Sequence, residues 1–180
     1  KDVNLEMYDW FFSENCLHFI LEKIPKQLER LKKVSRDQGF NDEVRELRQA
    51  LHGCTLPYFN MLAKKAESAK AIVRSQEFYN VDRLEWAMNI FREVMYTISL
   101  VYAPARICMP PMETDLTYKL FISSDILAAV QDTQVNVYRD VYNHILKPAI
   151  EEEEPDIIGI SIALSQQLFS SMTFCSMIKE

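Results

Sequence analysis

The sequence predicts a mainly α protein, a bundle-like set of about six to eight helices with strand-like sequence near its C-terminus. Three observations carry that reading. The 180-residue chain holds three glycines, Gly39, Gly53 and Gly159, too few for the φ > 0 turns of an all-β domain. Over most of its length, apolar residues recur three and four apart, which lines one face of a helix. Near the end, Ile157-Ile158-Gly159-Ile160-Ser161 replaces that rhythm with a short continuous apolar run, the pattern of a strand buried on both faces of a parallel sheet.

The elements follow in order. Ser13 precedes a run in which Leu17, Ile20, Leu21, Ile24, Leu28 and Leu31 share a face, with Pro25 expected to kink or restart the helix. Residues 37–41 read as a turn, and Asp42 begins a pattern through Val44, Leu47 and Leu51 that weakens at Gly53. Periodicity resumes from Leu56 to about Ser75, with Tyr58, Leu62, Ala66 and Ala69 on one side. Asn80 can cap the next helix, whose core stripe is Leu84, Met88, Phe91, Met95 and Ile98. Residues 103–118 carry Pro104, Pro110 and Pro111 without a sustained period and read as a long loop. Ser124 opens a helix through Val130, and a second runs from Val135 through Leu146, with a kink at Pro148, towards Glu151–Glu154. Residues 165–180 complete the chain as a helix with Leu168, Met172, Cys175 and Ile178 inward.

Bulk properties exclude several classes of function. A formal net charge of −6, with no basic stripe interleaved with aromatics, repels a phosphate backbone and argues against nucleic acid. No stretch approaches the ~20 uninterrupted apolar residues of a membrane span. Cys16, Cys54, Cys108 and Cys175 are scattered without ligand spacing and read as reduced, mostly buried cytoplasmic thiols. The start, Lys1-Asp2-Val3-Asn4, lacks an initiator Met and a signal region, and reads as an internal position in a longer polypeptide.

The string Glu154 to Leu168, Glu-Pro-Asp-Ile-Ile-Gly-Ile-Ser-Ile-Ala-Leu-Ser-Gln-Gln-Leu, resembles the third strand and following turn of the cobalamin-binding domain in radical S-adenosylmethionine enzymes. Asp2 to Asp9 is similar to the end of the second strand and its exit in that family. The resemblance covers roughly 35 residues at the two ends. It implies fragmentary strands at both ends from a truncated doubly wound cobalamin-binding domain. Its division of the chain is a strand end over residues 1–9, a helical insert domain over 10–154, and a βα unit over 155–180.

In such a fold the ligand sits at the carboxyl edge of the strands, which the resemblance places at Gly159, Ser161, Ser165 and Gln166. Two departures from the family pattern stand out. Ala163 occupies the leucine position of the family's Ser-x-Leu turn, and the Asp-x-His-x-x-Gly motif that supplies a cobalt ligand is absent, as it is in many radical members. The Cys-x3-Cys-x2-Cys loop that holds a 4Fe-4S cluster and leaves one iron open for S-adenosylmethionine is also absent from these residues. The resemblance therefore implies an accessory region that helps enclose cofactor or substrate. That region would not be catalytic alone, and its partner would be the radical S-adenosylmethionine core of its own polypeptide. Strands cut from their neighbours are expected to fray, re-pair or join two copies as a dimer.

Other constellations are weaker. Asp140 and His144 are spaced i, i+4, but the two Glu-x-x-His motifs of a di-iron bundle are missing, so a metal site is not expected. Glu14 and His18 read as a surface pair, Glu151–Glu154 as a solvated run, and Trp86, Met88, Phe91, Met95 and Tyr96 as core. The segment 106–112, rich in Met and Pro, suits a lid, a docking strip or a cover over the helices. The rival functional reading is a non-enzymatic helical module that binds a partner protein or an apolar ligand.

Overall fold

A computed structural model describes residues 3–38, 42–107, 114–115, 118–119, 122–162 and 167–179. The protein is mainly helical, as the periodicity predicts. Helices α1 (Val3–Phe11), α2 (Glu14–Gln38), α3 (Asp42–Gly53), α4 (Leu56–Val73) and α5 (Val81–Tyr102) form the first half, with a 3-10 turn at Gln76–Tyr79 between α4 and α5. Strands β1 (Arg106–Ile107) and β2 (Thr114–Asp115) pair antiparallel, Arg106 opposite Asp115 and Ile107 opposite Thr114. Helix α6 (Ser123–Gln131) follows, then α7 (Val137–Val141), a π turn (Tyr142–Leu146) and α8 (Lys147–Glu153) in unbroken succession, and last α9 (Leu168–Lys179).

Helix α5 is the axis of the core. It begins at Asn80, whose side chain accepts a hydrogen bond from the Arg83 amide at 3.2 Å, the cap the sequence predicts. From Thr97 to Tyr102 every side chain is buried, so this half of the helix is enclosed on all sides. Helix α4 lies along it, presenting Phe59, Leu62, Ala66 and Ala69 at four-residue and three-residue steps. The alanines let the two backbones approach closely. Helices α2 and α3 and strand β1 cover the remaining sides, and α6 and α7 pack against α9 through Ala129, Val137, Tyr138, Phe169 and Phe174.

Three elements differ from the sequence expectation. Residues 3–11 form a helix where a strand end was expected, because Met7 and Phe11, four apart, enter the core on one face. The expected boundary between residues 9 and 10 therefore runs through α1. Helix α2 continues through Pro25 without a break, held on both sides of it by buried Ile20, Ile24 and Leu31. Residues 157–161 are irregular rather than a strand, since among the described residues no segment offers them a ladder. No doubly wound sheet is present among the described residues.

The kink expected at Pro148 takes the form of the π turn. Proline lacks the N–H that would bond the His144 carbonyl, and its ring would strike that carbonyl in a regular α turn. Widening the preceding turn at Tyr142–Leu146 removes the clash, and Pro148 then occupies the first turn of α8, where its missing donor costs nothing. Helix α8 ends at Glu154 in the left-handed conformation, φ 42° and ψ 52°, with its amide bonded to the Ile150 carbonyl at 3.0 Å.

Two stability measurements check this account. Ile98→Ala removes a fully buried side chain from the enclosed half of α5 and is expected to cost ~2–5 kcal/mol in urea denaturation. Glu154→Gly places the residue suited to φ > 0 at the end of α8 and is expected to raise stability by up to about 1 kcal/mol.

Candidate functional site

The sequence-predicted cofactor edge is only partly within reach. Gly159 and Ser161 lie on an exposed irregular segment, and a Cβ added at Gly159 would meet nothing within 4 Å. Ser165 and Gln166 lie outside the described residues. Three isoleucines of this segment are exposed, Ile157 at 88%, Ile158 at 39% and Ile162 at 47%, while Ile160 packs partly buried against the core. The far side of the segment is anchored, because α9 buries Phe169 and Phe174 and its Thr173 hydroxyl accepts from the Asn136 amide at 2.9 Å.

A second constellation forms where α2, α5 and α7 meet. Asp140 Oδ2 accepts hydrogen bonds from Lys23 Nζ at 2.5 Å and from the Tyr102 hydroxyl at 2.6 Å. The ammonium of Lys23 also lies over two rings, 4.7 Å from the Phe19 centroid and 5.0 Å from that of Tyr102. Above it, the His144 ring stacks on Trp10 at 5.2 Å and meets Phe19 edge-on at 4.5 Å. Asp140 holds the lysine and His144 packs on the aromatics of α1 and α2, both beside the Phe19 ring.

This cluster is a clasp between helices, and its surroundings hold the nearby phenol and thiol protonated. Burial, followed by the Asp140 charge and its hydrogen bond, pushes the Tyr102 phenol well above its ordinary value and keeps it a donor. Burial, reinforced by Asp140, holds Cys16 as a thiol, and the thiolate is the form that attacks or binds metal. Cys54 is pushed the same way by burial, and its thiol donates to the Ala50 carbonyl at 3.3 Å. Cys108 lies outside the described residues, as does most of the segment 106–112. Glu14 and His18 approach to 3.9 Å, the surface pair their spacing implied, and His18 Nε2 also meets Asn60 Oδ1 at 3.2 Å. Among the described residues no three His, Cys, Asp or Glu side chains converge as a metal group.

A third feature is an open groove of about 460 Å3 along α4, lined by Met61 among other α4 residues and by Trp86 of α5. Sequence reasoning assigned Trp86 to the core, yet it is 39% exposed. The signal that could have placed it outside is its register. Trp86 follows Asp82 and precedes Asn89 and Glu93 at helical steps, so it belongs to the polar side of α5, whereas Ala87, Ile90 and Val94 make the buried side.

Comparison with family models, with curated proteins and with solved structures found no match to this chain. No helix among the described residues is long and apolar enough to cross a membrane.

The clasp makes two predictions. Asp140→Ala leaves a half-buried ammonium and a buried phenol without their acceptor, and is expected to cost ~1–3 kcal/mol, more than Lys23→Met at the same clasp. The second concerns alkali. Above a tyrosine's ordinary value of about 10, the unfolded chain loses a proton that folded Tyr102 keeps, so unfolding is favoured. Stability should therefore fall as pH rises through that range in denaturant titrations, and Tyr102→Phe should flatten the fall.

Proposed function

We propose that this chain is an accessory region of a cobalamin-binding radical S-adenosylmethionine enzyme, a helical insert followed by one βα unit of the cobalamin-binding domain. It helps enclose cofactor or substrate and is not catalytic alone. The observation that supports this reading is the run Ile157 to Ile162, which leaves three isoleucines exposed while the helix after it is firmly packed. An irregular apolar run whose backbone has no ladder among the described residues suits strands on either side of it. The resemblance of Glu154–Leu168 to the third strand of the cobalamin domain names what those strands would be.

The residues present fit one implied group and not the other. The Ser161 hydroxyl is exposed, without a hydrogen-bond partner among the described residues, and Gly159 beside it leaves open space, so both can meet the polar edge of a corrin. Ser165 and Gln166 would join them from the following turn. Bound cobalamin would supply a cobalt centre for group transfer. The 4Fe-4S cluster does not fit this chain, whose cysteines are too dispersed to hold it, and it belongs with S-adenosylmethionine on another part of the polypeptide.

The test is a visible-absorbance titration of hydroxocobalamin into a polypeptide extended in both directions to complete the sheet, with this 180-residue chain as control. A saturable spectral change in the extended protein alone is the expected result. No change in either protein would overturn cobalamin binding. A downstream sequence without Cys-x3-Cys-x2-Cys would remove the radical chemistry and leave the helical interaction module standing.

A further inference from the structure

The groove along α4 has a chemistry of its own, independent of cobalamin. Pro57, Met61, Lys64, Lys65 and Ser68 follow one another at helical steps, a stripe about 16 Å long on the outer face of α4, and Trp86 of α5 stands beside it. Met61 is 43% exposed and Trp86 39%, two residue types enriched in the cores of protein interfaces. The groove lies open along its length. It is too shallow to enclose most of a small molecule, as a ligand pocket does, but it can take side chains projecting from a second backbone.

Charge narrows the occupant. The chain carries six more acidic than basic residues, yet among the described residues the ionisable side chains lining this groove are lysines. Nearby cations differ: Lys70 of α4 holds Glu67, Arg83 of α5 holds Glu77 and Arg74 just after α4 holds Asp9, while Arg92 of α5 bonds the Asn89 amide oxygen. Lys64 and Lys65 hold no carboxylate among the described residues. The two lysines stand one turn from Met61, so a bound segment can bury an apolar side chain and present a carboxylate within the same turn.

We propose that this groove binds an acidic peptide segment of a partner protein, with one bulky apolar anchor against Met61 and Trp86 and carboxylates paired with Lys64 and Lys65. The pairing is exposed and would weaken with salt, while the apolar anchor would supply most of the affinity.

The experiment is selection of a random peptide-display library on the 180-residue chain, followed by titration of the most enriched peptide in synthetic form. The expected result is enrichment of sequences that combine an aromatic or large aliphatic residue with two or more acidic residues. Binding should fall at least about tenfold in the Lys64→Glu, Lys65→Glu double variant and in Trp86→Ala. The Lys64→Arg, Lys65→Arg variant should retain it, and circular dichroism should show all three variants folded. No enrichment, enrichment of sequences lacking acidic residues, or undiminished binding to the charge-reversed variant would overturn the proposal.

Discussion

The enclosed half of α5 constrains everything around it, because a helix buried on all sides must have each neighbour in place before it is stable. Apolar burial supplies the driving force but selects no particular neighbour. The selection comes from a few polar groups. Thr97 meets the Tyr58 hydroxyl of α4 at 3.0 Å, and the Ser99 hydroxyl accepts from the Ile107 amide at 2.8 Å, which fixes β1. Tyr102 reaches Asp140 of α7, and Gln27 of α2 donates to the Leu100 carbonyl at 3.4 Å. Each polar atom would be costly if left bare in the core, so each tie rejects packings that omit its partner.

This arrangement explains why the π turn matters beyond its own segment. Asp140 can serve Tyr102 and Lys23 only if α7 enters the core at the right rotation, while His144, four residues on, is directed to Trp10 and Phe19 at the surface. Pro148 is accommodated by the widened turn before it, and the same helical run is tied to α5 through Asp140 and to α1 through His144, both beside the Phe19 ring of α2.

Long periodic stretches were legible because burial imposes the period. Helices α2 to α5 and the Asn80 cap follow directly from spacing and capping chemistry, and no distant contact is needed to infer them. The short terminal segment was not legible in that way. Residues 3–11 were expected as a strand end from resemblance alone, whereas burial of Met7 and Phe11, four apart, goes with helix. Gly159 and Ser161 could be named from resemblance, whereas the Lys23–Asp140–Tyr102 clasp joins residues far apart in sequence that no local motif connects. Trp86 was misplaced because hydrophobicity was weighed without its angular position on the helix.

Two of the places where the described residues leave apolar surface bare differ in what they lack. At Ile157–Ile162 three isoleucines are exposed and the backbone has no ladder among the described residues, so an extended segment offering a hydrogen-bonding edge suits it. Along α4 the backbone is already satisfied within the helix, and what remains open is a row of side chains with a fixed charge. A strand that covered the first would gain nothing from the second, and a peptide suited to the second would leave the first still wanting a ladder. Occupation of one therefore leaves the other free.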